Sequence, residues 1–492
     1  MAHKPCSDPQ LSGSSVHSAR VPLSWPIRFA YGCGGVVERI GNQSIKDLGN
    51  PIYNLILGIN PVLIGVVIMV TRLFDAFFDP VVGNWSDNTR TRWGRRRPFL
   101  LAGSLLAGIA FVPVFWMPEW LGAHAQFIWM LLFGIVFYAC FTLFSIPYRA
   151  LAYEIAPGYH EKTQLLSLRL VFMMSVSAIQ PWVFPLTQSG WLGDPRASIP
   201  WIFGSLGLIL TITGLVPTFA IKEPPSPTCQ PGGRVSLRES LGDTLRCRPF
   251  LLLLAANTAN MIGVNLSFGL GNYIVIYYVY GGHPKAAASL LGWSGMVFSG
   301  FAIFAAPVMT ALSRRFGKRE VQLGALALAA LGALFSWWLY SPVHPWLMLL
   351  LPLFLAPGMI GLWMFGESMV GDVCQVETLR TGFHREAIFS AVFGWILKAA
   401  AAVAVLGSNL MLNATGFDVA LGAAQPPGVG FGMRIIFVSF LLIGFLTSLL
   451  LLWHHRLDEA TMLRVRAELD ARAASDFTQS QAPSRPHPPP EA

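Results

Sequence analysis

A chain of 492 residues that is 54% hydrophobic and only 12% charged has too few charged side chains to coat a large soluble particle, so its surface is expected to face lipid. The net charge of +9 is carried in short basic runs between apolar segments, a pattern of anchoring to an anionic inner leaflet that argues against nucleic acid as a partner. The six cysteines form no CxxC pair, and neither a disulfide framework nor a thiolate metal site is indicated.

In chain order, residues 1–28 lack an apolar core followed by a small-residue cleavage site and read as a polar cytoplasmic lead, not a secretory signal. Uncharged runs of membrane-crossing length follow at 29–57, 59–85, 97–116, 125–153, 163–187 and 200–220. The first is interrupted by Glu38, Arg39, Asn42, Lys46 and Asp47, which only burial inside a bundle makes tolerable. Residues 221–248 are polar and rich in Pro and Gly, a cytoplasmic linker with one short surface helix. Six more spans are expected at 249–279, 286–310, 321–340, 345–370, 384–411 and 430–452. They are followed by a tail, 453–492, that is helix-prone at first and disordered at its end.

This pattern predicts an all-α polytopic membrane protein: two six-helix bundles, 29–220 and 249–452, of twelve transmembrane helices. The loops between spans two and three, four and five, eight and nine, and ten and eleven, together with the linker, carry 17 arginines and lysines, whereas the opposite loops hold only Arg196 and Lys285. That bias places both termini and the linker in the cytoplasm of a cell membrane, the inner one in a Gram-negative cell. The loop "SDNTRTRWGRRRP" after span two is echoed by "SRRFGKRE" after span eight, so the halves repeat locally.

Asp75 and Asp79, one helical turn apart in span two, share a face. Carboxylates in hydrocarbon need a cavity, a cation or a basic partner. Together they offer oxygen ligands to Na+ or hold a proton; alternatively they pair with Arg72 or the loop arginines and only lock helices together. Beside the basic loop, Asp87, Arg95 and Arg96 read as gating residues, as do Asp372, Glu377, Arg380 and Arg385 at the inner end of span ten, able to trade partners as a mouth opens; a solvated charged loop is the alternative there. Sugar rings stack on aromatic planes. Tyr148, Trp363 and Trp395 are candidates for that stacking, together with Tyr31 and Trp182, and packing is the competing role for each. No catalytic triad, phosphate loop or HExxH spacing is present, so no enzyme activity and no cofactor are expected.

The stretches "RLFDAFFDPVVGNWSDNTRTRWGRRRPF" from Arg72, "FSIPYRALAYEI" from Phe144, "EKTQLLSLR" ending at Arg169 and "GDVCQVETLRTGFHREAIFSAVFGWILKAA" from Gly371 resemble the glycoside, pentoside and hexuronide cation symporters of the major facilitator superfamily. The resemblance spans nearly all of the membrane portion. It implies a major facilitator fold and symport of a sugar, glycoside or uronic acid coupled to Na+ or H+. It further implies that Asp75 and Asp79 are the cation-site pair, that Lys398 is the lysine near that site, and that Arg169 reaches toward the sugar; a structural ion pair with Glu154 or Glu161 is the alternative for Arg169. Two positions depart from the best-known member of the family. Arg39 stands where a sugar-binding aspartate is expected, with Glu38 before it, and Ser145 replaces the aspartate that links sugar and cation binding. Arg39, Arg149 and Arg169 together suit an acidic sugar. The protein is expected to act as a monomer in the bilayer on a small solute. A carrier of amphiphilic lipid and a solute sensor that moves nothing remain as alternatives.

Overall fold

A computed structural model describes residues 24–118, 120–155, 159–191, 193–223, 246–381, 386–454 and a few positions between 461 and 468. A chain buried in hydrocarbon must satisfy its backbone internally, and helices do so without a partner strand. Twelve long helices fill the described residues: α1 Trp25–Gly49, α2 Pro61–Asn88, α3 Arg97–Phe115, α4 Ala123–Ile155, α5 Tyr159–Ile179 and α6 Pro195–Ala220, then α7 Arg248–Tyr273, α8 Pro284–Phe316, α9 Lys318–Leu339, α10 Leu351–Thr381, α11 Glu386–Ala414 and α12 Pro427–Trp453. Eleven of these, some with the short turns that extend them, are long and apolar enough to cross a membrane. The exception is α1, whose 25 residues include Glu38, Arg39, Lys46 and Asp47.

Several helices depart from the expected runs. The fifth span is broken: α5 passes into a 3-10 turn, Gln180–Trp182, and a short helix, Val183–Gln188, because Pro181 has no N–H to donate to the preceding turn. Both α1 and α7 end in wide π-helical turns, Asn50–Ile56 and Ile274–Val279, at matching places in the two halves. The expected linker helix and most of the tail fall outside the described residues.

Two apolar cores form. One gathers Val37, Phe111, Phe137 and Phe203 from α1, α3, α4 and α6. The other gathers Phe250, Leu326, Phe365 and Phe437 from α7, α9, α10 and α12. Without a water-driven force between helices in lipid, close backbone approach supplies the attraction. At Gly263 of α7 a Cβ would lie 2.7 Å from the Gly444 Cα of α12, so glycine is what lets those helices touch.

Each bundle is also clasped at its arginine-rich end. Arg97, which opens α3, donates through Nε to the Thr218 carbonyl (2.8 Å) and through Nη2 to the Phe219 carbonyl (3.0 Å) at the end of α6. Arg319, in the first turn of α9, donates to the Leu452 and Trp453 carbonyls at the end of α12, at 3.3 and 2.6 Å. One guanidinium in each half thus satisfies the last carbonyls of that half's sixth helix.

The bundles meet at the opposite end. There Tyr273 Oη donates to Asn54 Oδ1 (2.8 Å), Pro181 packs on Gly295, Trp182 lies edge-on to Trp293 at 5.6 Å, and Gly65 of α2 packs on Asn409 of α11.

Candidate functional site

Charged side chains gather in two clusters, one between the bundles and one within the first bundle. In the first, Lys398 of α11 reaches across to α2. Its Nζ donates to Asp79 Oδ2 and lies 3.3 Å from Asp75 Oδ2. The i, i+4 spacing puts both carboxylates on the α2 face that meets α11, so one ammonium serves the pair. Asp75 is 2% exposed; its Oδ1 accepts from the Thr142 hydroxyl of α4 at 2.8 Å, and Arg72 Nη1 stands 3.9 Å from Oδ2. Arg72 is held over the Tyr138 ring at 4.9 Å and reaches Asn42 of α1 at 3.5 Å. Two carboxylates and two cations balance. The oxygen-rich donor set of Asp75, Asp79 and Thr142 suits a hard monovalent cation or a proton, with Lys398 standing where such an ion would compensate the same charge.

Thr142 is the residue that sequence reasoning missed. Ser145, proposed for the cation site, lies one turn further along α4, is buried and makes no hydrogen bond among the described residues. The available signal was a hydroxyl on the same face as Ser145, three residues earlier within an apolar run.

The second cluster is built on Glu38. Its carboxylate is fully buried in α1 and accepts from Arg149 Nε of α4 on Oε1, while Arg169 Nη2 of α5 pairs with Oε2. So Glu38, Arg149 and Arg169 are brought together, and the charge of Glu38 is met from two helices at once. Glu38 is the inward member of the adjacent pair at this point; Arg39 turns toward Asp47 (3.2 Å), which also accepts from Gln180, in the 3-10 turn after α5, at 3.5 Å. Of the three arginines expected to line one cavity, Arg149 and Arg169 share Glu38, whereas Arg39 pairs with Asp47. The alternative partners of Arg169, Glu154 and Glu161, have side chains outside the described set.

The aromatic candidates also sort. Tyr148 is fully buried, donates its hydroxyl to the Tyr31 carbonyl at 2.6 Å and is stacked between Tyr31 (4.5 Å) and Phe144 (5.2 Å). Both faces of its ring are covered, so it fastens α4 to α1 and offers no stacking plane to a sugar. Trp395 stands on α11 three residues before Lys398 and meets Phe77 of α2 edge-on at 5.9 Å. Trp363 is 61% exposed on α10.

At the arginine-rich end, Glu223 caps α3. Its carboxylate accepts the backbone N–H groups of Arg95, Arg96 and Arg97 at 2.6, 2.7 and 2.7 Å, which satisfies orphan donors and opposes the positive end of the helix dipole. Gly94 makes room for it: φ is +113°, and a Cβ there would sit 2.7 Å from the Glu223 carboxyl carbon. The Arg96 side chain is buried and donates to the Pro147 carbonyl at 3.3 Å. Asp372 pairs with Lys318 of α9 at 2.9 Å, and Glu377 with Arg380 of its own helix at 2.9 Å. The side chain of Asp87, and all of Arg385, lie outside the described residues.

A third feature is an apolar groove of about 620 Å³ on the flank of the second bundle, lined by Phe301, Phe304 and Phe316 of α8, Val321 and Leu328 of α9 and Leu353 of α10.

Residues 31–459 match the family described as MFS/sugar transport protein. The chain is 26% identical to an uncharacterised symporter of Synechocystis sp., over 92% of this chain and 97% of that one. It is 23% identical to a glucuronide carrier protein homolog of Escherichia coli (strain K12), over 92% and 96% of the two chains. Its fold superposes with a TM-score of 0.61, at 14% identity and over 92% and 99% of the two chains, on a bacterial homolog of the human lysosomal transporter Spinster in an inward-facing, unoccupied conformation. Helices, charge clusters and relatives agree on a multi-pass membrane transporter and not an enzyme, and the chain belongs to the MFS/sugar transport family, within the glycoside, pentoside and hexuronide cation symporters of the major facilitator superfamily.

Proposed function

We propose that this chain is a symporter that moves a sugar, glycoside or uronic acid together with Na+ or H+ by alternating access, with its arginine-rich end and both termini in the cytoplasm. The observation that carries the reading is Lys398, a cation of the second bundle seated on the paired aspartates of the first. An ion arriving at Asp75 and Asp79 supplies the charge that the ammonium otherwise supplies, so Lys398 is released and the contact between the bundles changes. Thr142 lends the same site a hydroxyl. The solute lies beside the Glu38, Arg149 and Arg169 cluster, and linkage makes ion and solute raise each other's affinity. The loaded carrier then parts at the Asn54, Pro181 and Gly295 contacts and closes at the arginine-rich end, where Asp372, Glu377 and Arg380 exchange partners with the loop cations.

Uptake into proteoliposomes under an imposed Na+ or H+ gradient tests this. Accumulation should follow one gradient and vanish when Asp75 and Asp79 are both changed to Asn. Uptake that ignores both gradients and survives the double substitution rules the reading out.

A second reading, carriage of an amphiphilic lipid, draws on the apolar groove along α8, α9 and α10. It is the weaker one because the groove belongs to one bundle and holds neither charge cluster, so filling it has no direct route to the ion site.

A further inference from the structure

Among the described residues the Glu38 cluster does not balance: one carboxylate faces two guanidiniums, which leaves one positive charge within the first bundle. Around it the described pairs are even: Asp75 and Asp79 face Lys398 and Arg72, and Arg39 faces Asp47. A surplus charge inside a bundle is costly unless something of opposite sign visits it.

The surplus has a direction. Arg149 spends only Nε on Glu38; neither of its Nη atoms has a partner among the described residues, and 39% of the side chain is exposed although it sits within a membrane span. Arg169 is less open, at 20%, with Nη2 on Glu38, its charged end over the Tyr148 ring at 5.9 Å and Nε buried. Glu38, wholly buried, thus holds Arg149 by its inner edge and leaves the outer one free. The outer edge of a guanidinium presents two parallel N–H groups, a match for the two oxygens of a carboxylate.

We propose that Arg149 binds a carboxylate on the solute, so that the substrate class is the sugar acids, and that Glu38 and Arg169 are positioning residues that hold Arg149 for it. This rests on the symport reading of the same site and narrows it. Replacing Arg149 by Gln leaves Glu38 paired one-to-one with Arg169, a balanced arrangement, so the variant is expected to fold; its thermal stability without solute checks that. Lysine at 149 keeps the charge and loses the fork.

The test is calorimetric binding of glucuronate, galacturonate and glucose to purified full-length protein. Wild type should bind at least one sugar acid and bind glucose at least tenfold more weakly. R149Q should lose tenfold or more of the sugar-acid affinity, and R149K should fall between. E38Q should raise KM for sugar-acid uptake several-fold more than it lowers kcat, and E38D should restore part of it. The proposal is overturned if no sugar acid binds wild type, if glucose binds as tightly, or if R149Q binds sugar acids as wild type does. Binding that needs Arg149 while uptake ignores ion gradients would remove the symport reading and keep the carboxylate site. Gradient-driven uptake of a neutral glycoside that R149Q leaves untouched would do the reverse.

Discussion

Tyr273 of α7 donates its hydroxyl to the side-chain oxygen of Asn54, 2.8 Å away in the turn that ends α1, and so joins the two bundles through a buried hydrogen bond at the end opposite the arginine-rich loops. A bond of this kind contributes about 1 kcal/mol, and removing the donor leaves a buried acceptor unpaired. Tyr273→Phe should therefore shift the balance several-fold toward the state that is open at that end. Spin-label distances between the ends of α2 and α11 near Gly65 and Asn409 would lengthen; an unchanged distance distribution would show that the bond does not bear on opening.

Lys398→Ala leaves Asp75 and Asp79 side by side without their ammonium. Breaking a fully buried pair costs about 3–5 kcal/mol, and because the Lys398 side chain is 31% exposed a smaller loss, about 1–3 kcal/mol, is expected here. The sign with pH follows from the carboxylates: the deficit is largest when both are charged and shrinks as acid neutralises them, or as Na+ occupies the pair in a sodium-coupled carrier. Melting curves of wild type and variant across pH 5–8, with and without Na+, would check this; a deficit that grows in acid contradicts it.

Thr142→Val is close to isosteric and removes only the hydrogen bond to Asp75. Loss of about 1–1.5 kcal/mol raises the ion concentration for half-maximal uptake by about 5- to 13-fold, whereas Thr142→Ser stays near wild type. A larger effect of Thr142→Ser than of Thr142→Val would mean that the methyl group, not the hydroxyl, is what matters.

Glu223→Ala removes a charged acceptor from three backbone N–H groups and should cost about 1–2 kcal/mol of stability, read as a lower Tm, without changing ion affinity. A change in coupling at constant Tm would move Glu223 from scaffold to gate.

The ion cluster was largely legible in the sequence because each member breaks a local rule. Asp75 and Asp79 are carboxylates in an apolar run, one turn apart, and Lys398 is a lone cation in span eleven. Glu38 and Arg39 announced themselves in the same way, yet which one turns inward depended on what α4 and α5 present, and one chain in isolation does not display that. Thr142 was hidden because a threonine in a membrane helix ordinarily bonds its own preceding turn and so draws no notice. Glu223 was hidden because it follows α6 in sequence but acts on α3, more than a hundred residues earlier. Helix ends were the least legible part: α8 runs on to Phe316, past the apolar stretch, until Gly317 at φ +89° stops it. Hydrocarbon thickness bounds the apolar run, whereas the turn bounds the helix.

The clasps from Arg97 to the end of α6 and from Arg319 to the end of α12 bear on how a carrier of this size transmits force. Each half has its first and last helices gathered and its third strapped to its sixth, so each behaves as a stiff lever and compliance is left to the seam between them. In the proposed mechanism, binding free energy released at Lys398 or Glu38 would then be delivered as rotation at that seam, with little lost to bending within either half.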